Sequence, residues 1–326
     1  MNIDKLVGNT PMVKIRVKYN DRIKNIYVKL EYYNYTGSIK DRLAKYIISE
    51  SIKDGSLKEG MPIIEATSGN TGISFAAIGA LYKHPVYIFM PDWVSQERIN
   101  ILKMYGAKVF LISKEDGGFK RAIYEADQLA RKFNGFRPNQ FSNIKNIEVH
   151  YKYTGEEIVS VMNNIDAFVS GIGTGGTLIG VGKKIKEEFP NARIVALEPD
   201  KIPLLTGGDV LENHKIEGIG DDFIPDLVDI DIIDKVITIN DYDAVNMARI
   251  LAKKLGLGVG ISSGANFIGA CLCDGDNIVT IFVDDMKKYL STELVDEIKL
   301  NEDFVSNKIE ILSIDSVWQR EVHVIA

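Results

Sequence analysis

Runs of apolar, β-branched residues alternate with amphipathic helical patterns along most of this chain. The strand-like runs are Pro62–Glu65, Val86–Met90, Lys108–Ile112, Ala167–Ser170, Arg193–Leu197 and Ile278–Val283. The helical patterns between them are Asp41–Lys53, Ser74–Tyr82, Gln96–Met104, Gly118–Lys132, Thr177–Glu188 and Asp243–Leu255. This alternation is typical of parallel sheets covered by helices on both faces, because parallel strands need a long crossover connection. The sequence therefore predicts an α/β fold.

Length and composition restrict the class of protein further. A chain of 326 residues exceeds what one hydrophobic core usually holds, so we expect two domains or one large elaborated domain. A formal net charge of −6, with no offsetting basic run, argues against a nucleic acid or a membrane surface as partner. No run approaches the roughly 18 apolar residues of a membrane helix, and the N-terminus lacks a secretory signal pattern.

The cysteine content points to a reducing compartment. Only two cysteines occur, Cys271 and Cys273, too close together to brace a fold of this size. The cytoplasm is therefore the expected location. Because no histidine lies near this pair, we expect the thiols to pack in a core and predict no metal site.

A lysine lies among small and turn-forming residues just before the first helical pattern, in Asn34-Tyr-Thr-Gly-Ser-Ile-Lys40-Asp-Arg42. Partial burial of such a lysine lowers the pKa of its ammonium group and makes the amine available as a nucleophile. Most lysines near loops are simply solvated, so this stretch indicates a catalytic lysine only in combination with the loops downstream. Lys40 is a candidate catalytic residue.

The second loop, Glu65-Ala-Thr-Ser-Gly-Asn-Thr-Gly72, follows a predicted strand and opens a helix. Hydroxyl, amide and backbone N–H groups gather there at a helix N-terminus, where the helix dipole favours an anion. A substrate carboxylate suits this position. The alternative is an ordinary helix cap, which needs only one of these hydroxyls.

The third loop, Gly171-Ile-Gly-Thr-Gly-Gly-Thr177, also lies between a strand and a helix. Its backbone N–H groups can surround a phosphate, and Thr174 and Thr177 add hydroxyl donors. The loop also satisfies the G-x-G-x-x-G pattern of dinucleotide sites, with Glu198 placed where a ribose-binding acid is expected. Against an NAD site, that pattern usually lies in the first strand–turn–helix unit of its domain.

The fourth loop, Gly260-Ile-Ser-Ser-Gly-Ala-Asn266, precedes another helix. A serine hydroxyl at a buried helix start can hydrogen-bond a ring nitrogen of a bound aromatic cofactor without requiring that nitrogen to be protonated. A helix cap is again the alternative. Gln140, an uncharged donor in a loop, is a further candidate.

Taken together, these motifs resemble the cysteine synthase family of fold type II pyridoxal-phosphate enzymes, which is related to cystathionine β-synthase. The matching segments run collinearly from residue 7 to residue 292: Val7-Gly-Asn-Thr-Pro11, Gly37-Ser-Ile-Lys-Asp-Arg42, Thr67-Ser-Gly-Asn-Thr-Gly72, Gly173-Thr-Gly-Gly-Thr177, Gly218-Ile-Gly220, Gly260-Ile-Ser-Ser-Gly264 and Tyr289-Leu-Ser-Thr292. The resemblance favours a phosphate-binding role for the glycine loop over an NAD site.

The resemblance implies pyridoxal 5′-phosphate as cofactor and assigns residues to it. Lys40 resembles the Schiff-base lysine, which also moves the α-proton of the substrate. Asn70 matches the residue that hydrogen-bonds the phenolic oxygen of the cofactor, and Ser262 matches the ring-nitrogen partner, with Ser263 a close rival. The implied phosphate ligands are Gly173, Thr174, Gly175, Gly176 and Thr177, and the implied ligands of the substrate carboxylate are Thr67, Ser68, Asn70, Thr71 and Gln140.

The implied reaction is β-replacement on a serine- or cysteine-type amino acid through an aminoacrylate, with O-acetylserine and sulfide as the family's default substrates. The family fold implies a small mobile domain at 41–145 and a large cofactor-binding domain at 1–40 plus 146–326. Residues 293–326 then form a C-terminal extension of the large domain, with room for a strand. The family also implies a homodimer, and some members dock the tail of an acetyltransferase in the active-site cleft.

The chain departs from the family at Asp221-Asp222. The first position is small in cysteine synthases and a tyrosine in cystathionine synthases, and the loop faces the substrate. A carboxylate at Asp221 can orient water or take a proton from an incoming nucleophile. Cysteine as donor would then yield hydrogen sulfide, with serine from water or a thioether such as lanthionine or cystathionine from a thiol. The alternative for Asp221 is a solvated loop acid, and a protein that binds the cofactor without turnover is the alternative of another class.

Overall fold

The computed structural model describes residue 3 and residues 5–211, 214–296 and 301–317. Its strands are β1 Met12–Tyr19, β2 Arg22–Leu30, β3 Ile63–Ala66, β4 Val86–Pro91, β5 Lys108–Ile112, β6 Ala167–Gly171, β7 Arg193–Pro199, β8 Lys235–Ile239, β9 Asn277–Phe282 and β10 Glu310–Val317. Its α-helices are α1 Lys40–Lys53, α2 Asn70–Leu81, α3 Gln96–Met104, α4 Gly118–Phe133, α5 Lys145–Val149, α6 Glu156–Val159, α7 Gly176–Glu188, α8 Asp241–Leu255 and α9 Ile261–Leu272. A π-helical stretch, His150–Gly155, joins α5 to α6.

The strands form two sheets within the described residues, one of seven strands in the order β10-β1-β2-β9-β6-β7-β8 and one of three in the order β3-β4-β5. Pairing is parallel from β2 to β8 and throughout the smaller sheet. The predicted α/β fold is confirmed, and each of the six predicted strands is present.

Two strands at the edge of the larger sheet depart from the parallel pattern. β1 runs antiparallel to both β2 and β10. Its sequence alternates apolar and charged residues, as expected for an antiparallel strand with one exposed face. Asn20 and Asp21, both with positive φ, form the tight turn between β1 and β2. β10 provides a strand in the predicted C-terminal extension; residues 318–326 lie outside the described part of the chain.

Helices cover both faces of the larger sheet. One core joins its strands to α8 and α9, through side chains such as Met247 and Phe267. Another core lies on the opposite face and includes Leu178 and Val181 of α7. The smaller sheet packs against α1, α2 and α3 on one side and α4 on the other. The domain bounds at 41 and 145 stay a prediction, although the smaller sheet lies wholly between them.

A buried ionic network anchors the start of α1. The guanidinium group of Arg42 contacts Glu31 at the end of β2 and Glu157 in α6, with N–O distances of 2.6 and 2.7 Å. Lys29 contacts the same Glu157 carboxylate at 2.7 Å. Burial opposes ionisation of Glu31, but the adjacent charges of Arg42 and Lys29 hold the pKa of its carboxyl below the usual value. The network therefore fixes the backbone immediately beside Lys40.

Across the described ranges, no helix is both long and apolar enough to cross a membrane.

Candidate active site

Loops at the carboxyl ends of β3, β6 and β9 border one cavity with the start of α1. This is where open parallel sheets usually bind ligands. The predicted site residues on its wall are Lys40, Thr67, Ser68, Asn70, Thr71, Gln140, Gly173, Thr174, Gly175, Thr177, Asp221 and Ser262. Gly176, the one predicted site residue that is not part of the wall, is the first residue of α7. The fold thus gathers residues separated by more than half of the chain.

Lys40 is the first residue of α1 and is half-buried. Desolvation lowers the pKa of its ammonium group, and the charges of Asp284 and Asp221 oppose that effect only in part. A neutral amine is therefore more accessible than on a solvated lysine, as a nucleophile requires. A catalytic role for Lys40 stays a prediction.

The loop after β3 presents its hydroxyl groups to the cavity. α2 begins after Gly69 with no side-chain cap, so the helix-cap alternative for this loop is not what the structure shows. Thr71 donates from Oγ1 to Oε1 of Gln140 at 2.6 Å, and Nε2 of Gln140 donates to the carbonyl of Ala66 at 2.9 Å. Hydroxyl and amide groups are thus held at a helix N-terminus, as a carboxylate site requires.

The side-chain amide of Asn70 has two charged neighbours. Its Nδ2 donates to Oδ2 of Asp284 at 2.8 Å, and its Oδ1 accepts from Nζ of Lys288 at 2.9 Å. Asp284 is fully buried and also accepts from the hydroxyl of Tyr289 at 2.8 Å. The orientation of Asn70 at the cavity wall is therefore set by groups outside the motif that contains it.

The glycine loop after β6 is closely packed. A Cβ at Gly173 would lie 2.3 Å from the carbonyl oxygen of Gly218, and one at Gly176 would lie 2.2 Å from Oδ1 of Asn146. Gly175 has a φ of +85°, which favours glycine. Successive N–H groups in this conformation at a helix start form an anion-binding concavity. Glycine is thus required here by space and by backbone conformation.

Two side chains that were not assigned a role from the sequence support this loop. Nδ2 of Asn146 donates to Oγ1 of Thr174 at 2.9 Å and to the carbonyl of Gln140 at 2.8 Å, linking the two anion-binding loops. Nε2 of His150 lies 3.3 Å from Oγ1 of Thr177. Burial, with the charges of Lys40 and Arg42 adding to it, holds the pKa of His150 well below its usual range, so the ring is neutral at pH 7.

The structure distinguishes the two serines at the start of α9. Ser262 lies on the cavity wall. Ser263 is fully buried, and its Oγ accepts from the backbone N–H of Val283 at 2.9 Å. Of the two, Ser262 is therefore the one that lines the cavity. α9 begins after Gly260 without a side-chain cap, so neither hydroxyl caps the helix.

The adjacent aspartates point in different directions. Asp221 lies on the cavity wall, where burial and the nearby charge of Asp222 raise the pKa of its carboxyl to about 6, with Lys40 opposing the rise. Asp222 is exposed and forms a 2.9 Å ion pair with Lys120 of α4. Asp221 is half-buried on the cavity wall, and this position argues against the solvated-loop alternative, since a fully solvated acid would keep an ordinary pKa.

Glu198, the candidate ribose-binding acid of an NAD site, is hydrogen-bonded to the loop that follows β7. The Glu198 carboxylate accepts hydrogen bonds from the backbone of Leu205 and Thr206 at 2.8 and 3.1 Å, and from the Thr206 hydroxyl at 2.7 Å. It is buried and holds the loop after β7. This contact gives Glu198 a structural role in place of ribose recognition.

An arginine that the sequence did not single out also lies on the cavity wall. Arg98 of α3 is almost fully buried and forms an ion pair with Glu217. Its guanidinium carbon lies 4.4 Å from the ring centre of Tyr289. It also packs against Gly69, where a Cβ would lie 2.1 Å from its side chain. No sequence pattern indicated this, because Arg98 lies on an ordinary amphipathic helix.

Comparison with known proteins gives consistent matches. Residues 3–284 match the model of the family described as pyridoxal-phosphate dependent enzymes. A cysteine synthase of Staphylococcus aureus strain Mu50 is 42% identical over 300 residues, covering 90% of this chain and 96% of that protein. A cysteine synthase structure from Entamoeba histolytica is 37% identical, with a TM-score of 0.84 and coverage of 94% of each chain.

A hydrogen sulfide-producing enzyme from Fusobacterium nucleatum is similar over more of its length. Its structure is 50% identical, with a TM-score of 0.92, and the match covers 97% of this chain and 98% of that chain. An Asp-to-Asn variant of that enzyme in complex with an α-aminoacrylate intermediate is 49% identical, with a TM-score of 0.94 and the same coverage.

Proposed function

The chain belongs to the family of pyridoxal-phosphate-dependent enzymes, and we propose that its donor substrate is L-cysteine, from which it releases hydrogen sulfide. Its cysteine synthase relatives bear out the predicted cofactor, the predicted enzyme class and β-replacement on an amino acid. The choice of donor and of incoming nucleophile is the proposal.

The cavity fits pyridoxal phosphate. A half-buried lysine with a lowered pKa is suited to bind its aldehyde, and a glycine loop too tight for any Cβ at Gly173 leaves backbone N–H groups for its phosphate. A serine hydroxyl lies on the same wall for the ring nitrogen. When bound, the cofactor supplies an electron sink that makes the α-proton of an amino acid acidic and lets its β-substituent depart.

We assign the residues around the cofactor by this fit. Lys40 would hold the aldehyde carbon of the cofactor and, once free, would take the α-proton of the substrate. Gly173 to Thr177 would hold the phosphate, Asn70 would donate to the phenolic oxygen, and Ser262 would lie beside the ring nitrogen. Thr67, Ser68, Asn70, Thr71 and Gln140 hold the substrate carboxylate at the N-terminus of α2, where the helix dipole favours an anion.

The choice of L-cysteine as donor depends on the position of Asp221. Its carboxyl lies on the wall of the same cavity as Lys40, with its pKa raised to about 6. At pH 7 it is mostly ionised and still basic enough to take a proton from water or a thiol as either adds to the β-carbon. The same negative charge repels hydrosulfide, so it favours sulfide as a leaving group over sulfide as a nucleophile.

The second candidate, which is also the main expectation from the sequence, is the reaction of O-acetylserine with sulfide to give cysteine. The cysteine synthase relatives favour it, and the carboxylate and phosphate loops serve both donors equally. The likeness to the Fusobacterium nucleatum enzyme, whose own described property is the production of hydrogen sulfide, supports cysteine as the donor.

Incubation of the purified holoenzyme with L-cysteine alone, followed by identification of every amino-acid and keto-acid product, tests the proposal. Sulfide together with serine or lanthionine is the expected result. Serine would identify water as the nucleophile, and lanthionine would identify a second cysteine. An absence of turnover, with rapid cysteine formation from O-acetylserine and sulfide in a parallel reaction, would establish the second candidate.

We further propose a homodimer located in the cytoplasm. Large apolar side chains remain on the surface, Met104 being 85% exposed, and supply area for a subunit interface. An open vestibule shares Ser68, Glu217 and Asp221 with the cavity and is the proposed entry for an acetyltransferase tail. Light scattering on the purified protein measures the oligomer, and titration with a tail peptide measures docking.

A further inference from the structure

We propose that Lys288 is a positioning residue that holds the side-chain amide of Asn70 in one orientation on the wall of the active-site cavity. The inference rests on the proposed role of Asn70 as the donor to the phenolic oxygen of the cofactor. It assigns a task to a lysine that lies outside the motifs around the cavity.

Lys288 links the loop that contains Lys40 to the N-terminus of α2. It ends the 3₁₀ turn Met286–Lys288 and is only 2% exposed. Its Nζ donates to Oδ1 of Asn70 at 2.9 Å and to the carbonyl oxygen of Gly37 at 3.0 Å. Gly37 lies three residues before Lys40, so one ammonium group fixes both the start of α2 and the lysine loop.

Two hydrogen bonds on opposite sides set the direction of the Asn70 amide. Its Oδ1 accepts from Nζ of Lys288 at 2.9 Å. Its Nδ2 donates at 2.8 Å to Oδ2 of Asp284, an oxygen that also accepts from the hydroxyl of Tyr289. The second Nδ2 hydrogen is then what Asn70 offers to a ligand in the cavity. Without Lys288, only one of these two restraints remains.

Burial lowers the pKa of the Lys288 ammonium group. The charges of Asp284, Asp41 and Asp285 oppose that effect only in part, and the charge of Arg98 adds to it. A buried charge is tolerated only when it is paired and hydrogen-bonded. The neighbouring Lys287 is exposed and provides a matched control, because it carries the same charge one residue away from the network.

The test compares Lys288→Met, Lys288→Arg and Lys287→Met holoenzymes. We measure the visible absorption band of the bound cofactor, the affinity of the apoenzyme for pyridoxal phosphate, and kcat and KM for sulfide release. Loss of a charge-assisted hydrogen bond should lower kcat by about 10- to 100-fold. KM should change less than about threefold, since Asn70 is the one proposed carboxylate ligand that accepts a hydrogen bond from Lys288 and the other four keep their own contacts. The band should shift, Lys288→Arg should recover it in part, and Lys287→Met should match the wild type.

A double-mutant cycle separates positioning from general support of the fold. In an Asn70→Ala background, Lys288→Met should have little further effect on kcat or on the absorption band. The proposal would be overturned if the fold-losses in kcat from Asn70→Ala and Lys288→Met multiplied in the double variant. It would also be overturned if Lys288→Met kept the absorption band and the kcat of the wild type. If Lys288→Met does not fold, Lys288→Gln replaces it, and an unchanged band in that variant also overturns the proposal. The band and the cofactor affinity need no turnover, so they report on this contact even if cysteine is not the donor.

Discussion

Replacing Asp221 with asparagine should separate the two halves of the proposed reaction. Asparagine keeps the size of the side chain and removes the base. Departure of the β-substituent depends on Lys40 and the cofactor, so it should continue in the variant. Addition of water or a thiol depends on the carboxylate, and loss of a general base typically costs about 10²- to 10⁴-fold in rate, or about 3–5 kcal/mol in activation free energy.

The same substitution should stabilise the fold. Moving the pKa of Asp221 from 3.8 to about 6 corresponds to about 3 kcal/mol, at about 1.36 kcal/mol per pKa unit. Because the folded state binds this proton more tightly, the free energy of unfolding falls as the pH rises from about 4 to about 6, and the carboxylate is a net cost above that range. Asp221 retains some contact with solvent, so we expect Asp221→Asn to gain about 1–3 kcal/mol at pH 8.

The assay is rapid-quench measurement of sulfide from L-cysteine, followed into the steady state. Asp221→Asn should release about one equivalent of sulfide per active site and then stall. Wild-type steady-state turnover should rise with pH through about 6, where the Asp221 carboxyl ionises. Denaturant unfolding at pH 5 and pH 8 measures the change in stability.

Asp222→Asn is the matched control. Its side chain is exposed and pairs with Lys120, so removal of its charge should leave turnover largely intact. Because the charge of Asp222 helps to raise the pKa of Asp221, the midpoint of the pH profile should move to lower pH. Full steady-state turnover in Asp221→Asn would refute the role of Asp221 as a base, and so would loss of the initial sulfide release.

Four further substitutions test the fold and the cofactor site. Arg42→Met removes the ion pair of the buried Glu31 carboxylate, while Glu157 keeps Lys29, and should lower the free energy of unfolding by about 3–5 kcal/mol, measured by denaturant titration. Gly173→Ala places a Cβ 2.3 Å from the carbonyl of Gly218 and should weaken binding of pyridoxal phosphate to the apoenzyme by at least about tenfold, measured by fluorescence titration. Ser262→Ala should change the absorption of the bound cofactor, whereas Ser263→Ala should leave it unchanged and lower the melting temperature, because the N–H of Val283 loses its partner.

The parallel α/β layers and the main candidate loops followed from the sequence because both depend on local patterns. Buried parallel strands are continuous apolar runs, and crossover helices are amphipathic, so each of the six predicted strands was found where the pattern placed it. Glycine loops between a strand and a helix indicate anion sites for a similarly local reason, since the N–H groups of one helix start supply the contacts. The hairpin of β1 and β2 was not predicted, because its strands alternate apolar with charged or polar residues and contain no continuous apolar run.

Other features were decided by the tertiary structure alone. Ser262 and Ser263 are adjacent and chemically identical, and only the packing of α9 against Val283 directs one of them into the core. Asp221 and Asp222 are likewise adjacent and chemically identical, yet the fold places Asp221 half-buried on the cavity wall and leaves Asp222 exposed beside Lys120. Desolvation and the charges of distant residues set a pKa, and neither can be read from neighbouring letters.

The contact between Lys288 and Asn70 shows the same division most clearly. The sequence identifies Asn70 through a motif at the start of a helix, and it determines which chemistry that amide can perform. Its partner lies 218 residues away along the chain and belongs to no motif. The residues of an active site are thus predictable where one local element presents them, whereas their orientation and charge arise from contacts that exist only after the two sheets have assembled.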